Sequence, residues 1–256
     1  MRQPAPIREF RIALALLTRL PVGRIAEPVP TLAQARWAFA LCGVIVGALA
    51  WAAYLIASLA GLSPGLCAWA ALGMGVLVTG AMHEDGLADL ADGFGGGHDR
   101  ARKLEIMRDS RIGSYGVIAV ILSLAVRAES IGELSGGPQL LVAFIAIATL
   151  SRGLMLVGLE FLPAARADGL GHMAAAPGGW RFAVGIGCAL LAFLPLLWLA
   201  GVAAIWIACA MGVAAFLVAQ LAIKQIGGQT GDALGAIQLT SETLGWVAAA
   251  AVLSGW

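Results

Sequence analysis

Charge along this chain is confined to a few short stretches. No Asp, Glu, Lys or Arg occurs from Trp37 to His83, a run of 47 residues. A membrane-spanning helix takes about 20 residues, so this run holds two, and Gly61-Leu62-Ser63-Pro64-Gly65 supplies the turn between them. The pattern predicts helices over 38–60 and 66–82. A second charge-free run, Phe182 to Ile223, divides near Gly201 into helices over 182–200 and 202–223, with Pro195 as a kink point in the first. Three further spans are less clean: 114–134, apolar as far as Arg127; 139–159, with Arg152; and 233–254, with Glu242. Ile7 to Leu20 has short apolar runs between charges and Pro21 behind it. It reads as an amphipathic helix at the membrane surface rather than a cleavable signal peptide. The expectation is an all-α polytopic membrane bundle of about seven transmembrane helices, in a single domain over 1–256.

Composition agrees. Of 256 residues, 60% are apolar before the 34 glycines are counted, and 12% are charged, against ~25% in an ordinary soluble domain. That excludes a soluble enzyme, a disordered chain and a basic nucleic-acid binder; the net charge is only +1. Cys42, Cys67, Cys188 and Cys209 stand in apolar stretches and read as small buried hydrophobes. Basic residues set the orientation: fourteen of the sixteen fall before the first span, in 83–112, in 160–181 or at Lys224. The positive-inside rule then puts the N-terminus in the cytoplasm, with an N-terminal segment over 1–36, a charged loop over 83–112 and a glycine-rich loop over 224–232 all on that side. Arg127 falls outside this set, and Arg152 lies within a span.

The loop over 83–112 is where chemistry concentrates. HEDGLADLADG, residues 83–93, sets Asp85, Asp89 and Asp92 at i, i+4 and i+7, one face of a helix. Three carboxylates on one face repel unless a cation sits among them, and hard oxygen donors favour Mg²⁺, with Mn²⁺ as a substitute. Glu84 and Glu105 are further candidate ligands. A solvated helix face and an ion pathway are the competing accounts of these acids.

EIMRDSRIGSYG, residues 105–116, follows. Arg108 and Arg111 suit bidentate phosphate contact, Ser110 and Ser114 add hydroxyls, and Gly113 and Gly116 open a helix whose N–H groups favour an anion. Acids for a metal followed by donors for phosphate are the layout of phosphoryl transfer. Lipid head groups are the other destination for the neighbouring Arg100, Arg102 and Lys103. His83 is a candidate base, a metal ligand or a structural histidine. Arg152 is expected to point into the bundle and pair with a carboxylate or a phosphate, with snorkelling to the interface as the competing account. GGQTGD, residues 227–232, offers Gln229, Thr230 and Asp232 to the same site, with Glu242 further along the last span.

Together HEDGLADLADG, EIMRDSRIGSYG, Ser151-Arg152-Gly153, GGQTGDALGA (227–236) and Thr18-Arg19-Leu20-Pro21-Val22 resemble the cobalamin synthase family, the adenosylcobinamide-GDP ribazoletransferases. The resemblance implies a Mg²⁺-dependent enzyme of the bacterial inner membrane, its active site facing the cytoplasm. There a hydroxyl of α-ribazole, or of its phosphate, attacks adenosylcobinamide-GDP, the cobinamide phosphate is transferred and GMP leaves. It implies Asp85, Asp89 and Asp92 on the metal, Arg108 and Arg111 on the pyrophosphate, and Asp109 or His83 as proton acceptor. Ser110, Arg152, Gln229, Thr230 and Asp232 would line the phosphate or nucleotide pocket. A homo-oligomer and contacts with other cobalamin-assembly enzymes are compatible with this reading; nucleic acid is not a partner. The rivals are a CDP-alcohol-type phosphotransferase, whose signature puts Ala-Arg after Asp-Gly where this chain has Leu87-Ala88, and a transporter, which predicts acids buried mid-span.

Overall fold

The computed structural model describes residues 4–134, 138–175 and 179–253. Among these residues all regular elements are helical, and the one strand-like pairing is an isolated parallel bridge between Ala164 and Gln229. The chain opens with α1 (Ala5–Leu17) and α2 (Leu32–Ala35), and a 3-10 turn over Arg36–Ala38 leads into α3 (Phe39–Leu59). Helix α1 turns Ala13 and Leu17 inward and leaves Ile7 exposed, the amphipathic arrangement expected. Its buried Glu9 accepts hydrogen bonds from Trp37 Nε1 (2.7 Å) and Arg181 Nη2 (3.1 Å), which fixes α1 to the bundle.

Helices α3 and α8 (Pro138–Phe161) pack with their backbones nearly touching. A Cβ on Gly43 would lie 2.5 Å from the Ala148 carbonyl oxygen, and one on Gly47 2.5 Å from that of Phe144. Glycines four apart on one face permit this approach, the small-xxx-small rule of membrane helices. Helix α4 (Pro64–Thr79) runs beside α3. Gly80 (φ 66°) and Ala81 (φ 59°) then adopt successive left-handed conformations, and α5 (Met82–Gly96) leaves at 88° to α4.

The expected loop over 83–112 is therefore largely helix. Its first half is α5, and its second holds α6 (Arg100–Ile106) before α7 (Ser114–Gly132). The charges of 83–93 suggest solvent, but their spacing is helical, and α5 buries His83, Glu84 and Leu90 against its neighbours.

Beyond α8 come the short α9 (Gly169–Ala174), α10 (Trp180–Ala200), α11 (Val202–Ile226) and α12 (Gly231–Val252). Helix α10 continues through Pro195 without a break. Among the described residues five helices are long and apolar enough to cross a bilayer, and the bent α4–α5 pair makes six if it counts as one span. About seven, to within one, were expected. Helix α12 forms as anticipated but is too polar to pass the same test. It packs against α5, α7, α8 and α11, which bury its Gln238, Ser241 and Thr243, while Leu244, Val247 and Val252 on its C-terminal half stay exposed. The cysteines are all free; Cys42 and Cys67 are buried, but Cys188 is only partly so and Cys209 is exposed. Helices α10 and α11 turn many apolar side chains outward, Trp198 and Trp206 among them, because lipid can replace a protein core there.

Candidate active site

The site begins where α5 crosses the start of α12. Gly86 makes the crossing close: a Cβ there would lie 3.0 Å from the Asp232 carbonyl oxygen. Thr230 caps α12, its hydroxyl accepting from Ala233 N–H (3.1 Å) and donating to Asp232 Oδ2 (3.2 Å). Capping fixes the first turn, which carries Asp232 toward Asp85 and Asp89. Asp89 lies in the charged arm of the bent α4–α5 pair, past its apolar stretch. Burial, together with the charges of Asp85, Asp232 and Asp92, pushes the Asp89 carboxyl up to about 7, against the opposing pull of Arg166. Carboxylates that raise one another in this way favour a cation between them.

Asp92 shares the sequence face of Asp85 and Asp89 but has a different position. It is buried, and its carboxylate accepts from the backbone N–H of Gly113 (2.7 Å) and Gly116 (2.9 Å). The N-terminus of α7 does bind an anion, as the sequence suggested, and that anion is Asp92. A Cβ at Gly113 or Gly116 would collide with the Asp92 carboxylate, so these glycines make room for the contact.

Glu84 faces the bundle interior, where Arg127 Nη2 donates to it (3.1 Å). Arg127 also pairs with Glu242 (3.3 Å), and Arg152 stands 3.7 Å from the other oxygen of Glu242. Arg127 is thus an interior cation, not the outer-side charge that its place near a span end suggested. Arg152 points into the bundle as expected, and its partner is a carboxylate. His83 lines the same interior cavity of about 40 Å³, with Arg127, Arg152, Gln238 and Glu242. His83, Arg152 and Glu242 therefore form a group apart from Asp85 and Asp232.

The arginines of EIMRDSRIGSYG lie at the surface. Arg108 Nη2 donates to both oxygens of Asp168 (2.7 and 2.8 Å). Arg111 pairs with Asp109 (2.6 Å), and its hydrogen bonds hold the Asp109 carboxyl down at about 2, a poor proton acceptor. Ser110 is exposed, and Glu105 pairs with Arg102 (2.8 Å).

Sequence reading passed over Arg166. Its Nη2 donates to the Leu104 carbonyl (3.0 Å) and its Nη1 lies 3.8 Å from Asp232 Oδ2. The segment that carries it is docked on the glycine-rich loop: Gln229 N–H donates to Pro163 O and Ala165 N–H to Gln229 O, both 2.8 Å. Arg100 adds a bond to Ala165 O (3.1 Å). The charged stretch after 83, the 160–175 segment and the 227–232 loop thus gather at one end of the bundle, as their charge pattern predicted. Gln229 is buried there with neither amide atom hydrogen-bonded.

Asp85 borders two cavities. One, of about 210 Å³, has Asp85 and Asp232 at its edge and apolar walls from α1, α3, α8 and α12. The other, of about 390 Å³, is more polar and is bordered by Thr18, Arg19 and Gly80. Only the Thr18-Arg19 resemblance pointed to that second cavity in the sequence.

A family model described as cobalamin-5-phosphate synthase matches residues 9–250. The chain belongs to this family. Among curated proteins, a Bradyrhizobium diazoefficiens protein named adenosylcobinamide-GDP ribazoletransferase is 43% identical, covering 97% of this chain and 95% of its own length. Proteins of the same name from Azorhizobium caulinodans (45% identical, 94% and 95% covered) and Mesorhizobium japonicum (41%, 96% and 94%) are similarly close. No solved structure matches. As a member of the cobalamin-5-phosphate synthase family, the chain is a membrane transferase of cobalamin biosynthesis.

Proposed function

We propose that this chain transfers cobinamide phosphate from adenosylcobinamide-GDP to a hydroxyl of α-ribazole or of its phosphate. The attacking oxygen forms a bond to the phosphorus that bears cobinamide, the bond to the second phosphate breaks, and GMP leaves. The observation that carries the reading is the convergence of Asp85 and Asp89 from α5 with Asp232 from α12 at the edge of a cavity, Arg166 beside them.

The donor set suits Mg²⁺. Among the described residues no three His, Cys, Asp or Glu side chains are already drawn together as ligands. Mg²⁺ is normally held by one or two carboxylates plus substrate phosphates rather than by an all-protein cage, so an open set of carboxylates fits it. Asp89 and Asp232 would hold the ion, with Asp85 alongside. Bound there, it would neutralise charge on the pyrophosphate and the departing GMP.

The protein groups do the rest. Arg166 is fixed by Leu104 O and adds positive charge beside the carboxylates. Arg108 and Arg111 are exposed and exchange Asp168 and Asp109 for phosphate oxygens. Asp85, which faces both cavities, takes the proton of the attacking hydroxyl. The site faces the cytoplasm of the bacterial inner membrane, the side favoured by the distribution of basic residues.

The test is GMP release by purified protein in nanodiscs given adenosylcobinamide-GDP and α-ribazole phosphate, with and without Mg²⁺. Mg²⁺-dependent GMP matched one-to-one by cobamide is expected. Absence of both products from folded protein would overturn the reading.

A further inference from the structure

Asp85 separates two cavities of opposite character, and the difference assigns their contents. The smaller is walled by Leu16, Leu17, Phe39, Met155, Leu159 and Leu234. These side chains come from four helices and offer only hydrocarbon and a thioether sulfur. The lining side chains that can hydrogen-bond are Asp85 and Asp232, both at the carboxylate edge. The larger cavity carries Arg19 and Thr18.

Size restricts the occupant of the apolar cavity. A cavity of roughly 150 Å³ lined by aliphatic and aromatic side chains takes up benzene. At about 210 Å³ this one has room for a fused bicyclic ring but not for a corrin macrocycle. Two bicyclic bases belong to the reaction proposed above: the guanine of the donor and the benzimidazole of the ribazole acceptor. Guanine presents a carbonyl, an amino group and ring N–H groups along its edge. Away from the Asp85–Asp232 edge the side-chain walls are apolar, so those of its polar groups that do not reach that edge would lose water and gain no side-chain partner, an unfavourable exchange. A dimethylbenzimidazole has methyl groups at the corresponding ring edge instead, and it gains from leaving water.

We infer that the cavity between α1, α3, α8 and α12 is the subsite for the flat apolar base of the acceptor, and that Leu16, Met155 and Leu234 select it. With the base seated there, the attached ribose lies at the Asp85–Asp232 edge, where the attacking hydroxyl is needed. The guanosine diphosphate portion of the donor takes the polar cavity, with Arg19 toward its phosphates. This inference rests on the proposed transfer reaction for the identity of the two bases. The character of the cavity is independent of it.

The experiment uses the full chain in nanodiscs. Equilibrium dialysis measures binding of free 5,6-dimethylbenzimidazole and of guanosine to wild type and to Leu159→Trp, which fills the cavity from α8 at a residue that does not line the polar cavity. Steady-state assays then give KM for each substrate. Leu159→Trp is expected to weaken dimethylbenzimidazole binding at least tenfold and to change guanosine binding less than twofold. The variant should raise the acceptor KM at least tenfold and change the donor KM less than twofold.

Unchanged dimethylbenzimidazole binding in the variant, or a rise in donor KM alone, overturns the assignment. Met155→Ala provides a second arm if Leu159→Trp does not fold. It enlarges the cavity and should improve a ribazole bearing a bulkier apolar base relative to the natural acceptor; no change in that ratio also overturns the assignment. If wild type releases no GMP, the transfer reaction fails, while the dialysis result still decides the nature of the cavity.

Discussion

Arg127 and Glu242 meet at 3.3 Å inside the bundle, and the same guanidinium holds Glu84 at 3.1 Å. Three helices are joined by this contact: α7 through Arg127, α5 through Glu84 and α12 through Glu242. Arg152 of α8 adds a second cation, and Gln238 Nε2 donates to Glu242 at 2.6 Å. Two cations and two anions leave the cluster neutral, the condition under which buried charge is tolerated. Its position one residue from Asp85 means that it also sets where the carboxylate face of α5 lies.

Replacing Arg127 with Met strands the buried Glu84 and leaves Glu242 with Arg152 and Gln238 alone. The expected cost is about 3–5 kcal/mol, typical of breaking a buried ion pair from one side. Thermal unfolding in detergent checks it. Arg127→Met combined with Glu84→Gln should recover part of the loss, because the double variant leaves fewer unpaired charges. A double variant no more stable than the single one would remove the charge-balance argument.

Asp89 and Asp92 are predicted to separate by phenotype despite their common helical face. Asp89→Ala should raise the Mg²⁺ concentration needed for half-maximal turnover by tenfold or more. Asp92→Ala should leave that concentration within about twofold and instead lower the melting temperature. It removes two charge-assisted bonds to the α7 amides, worth about 1.5–3 kcal/mol each. A Mg²⁺ titration beside a melting curve for each variant is sufficient.

Gly86→Ala tests the helix crossing. The new Cβ would press on Asp232 O at 3.0 Å, and overpacking of this kind costs about 1–3 kcal/mol. The larger effect should be on catalysis, since α5 must move off α12 and part Asp85 and Asp89 from Asp232. A fall in kcat of at least tenfold in protein that still folds is expected. Gly73→Ala, at a glycine with open space around it, is the control and should have little effect.

Arg166→Ala should raise the KM for adenosylcobinamide-GDP at least tenfold, and by more than Arg111→Ala. Arg166 is mostly buried beside Asp232, whereas Arg111 is largely exposed, and exposed pairs contribute little. Steady-state kinetics with the donor varied would show the order; the reverse order would return the phosphate role to the surface arginines.

The spans were legible because charge is so sparse here that its absence marks a helix to within a few residues. The spacing of Asp85, Asp89 and Asp92 likewise revealed a helical face. Partners were harder to read. Asp92 caps a helix that starts 22 residues later, and nothing local distinguishes it from Asp89. Arg127 looked like the end of a span because its partners, Glu84 and Glu242, are 43 and 115 residues away. Arg166 sits in a polar segment with no motif of its own, and its place beside Asp232 depends on the docking of Pro163 and Ala165 against Gln229. Helix α12 was read as a span with Glu242 facing the site, but one Glu does not reveal how many helices pack against it.

The bonds from Gly113 and Gly116 to Asp92 also close a ring of chain. Residues 93–112 leave α5 and return to it, so both ends of the segment bearing Arg108 and Arg111 are anchored to the helix that carries Asp85 and Asp89. A tether closed at both ends limits how far its middle can wander, which raises the effective concentration of these two cations near the carboxylates. Lengthening the segment with a glycine insert would dilute them without altering a single contacting residue.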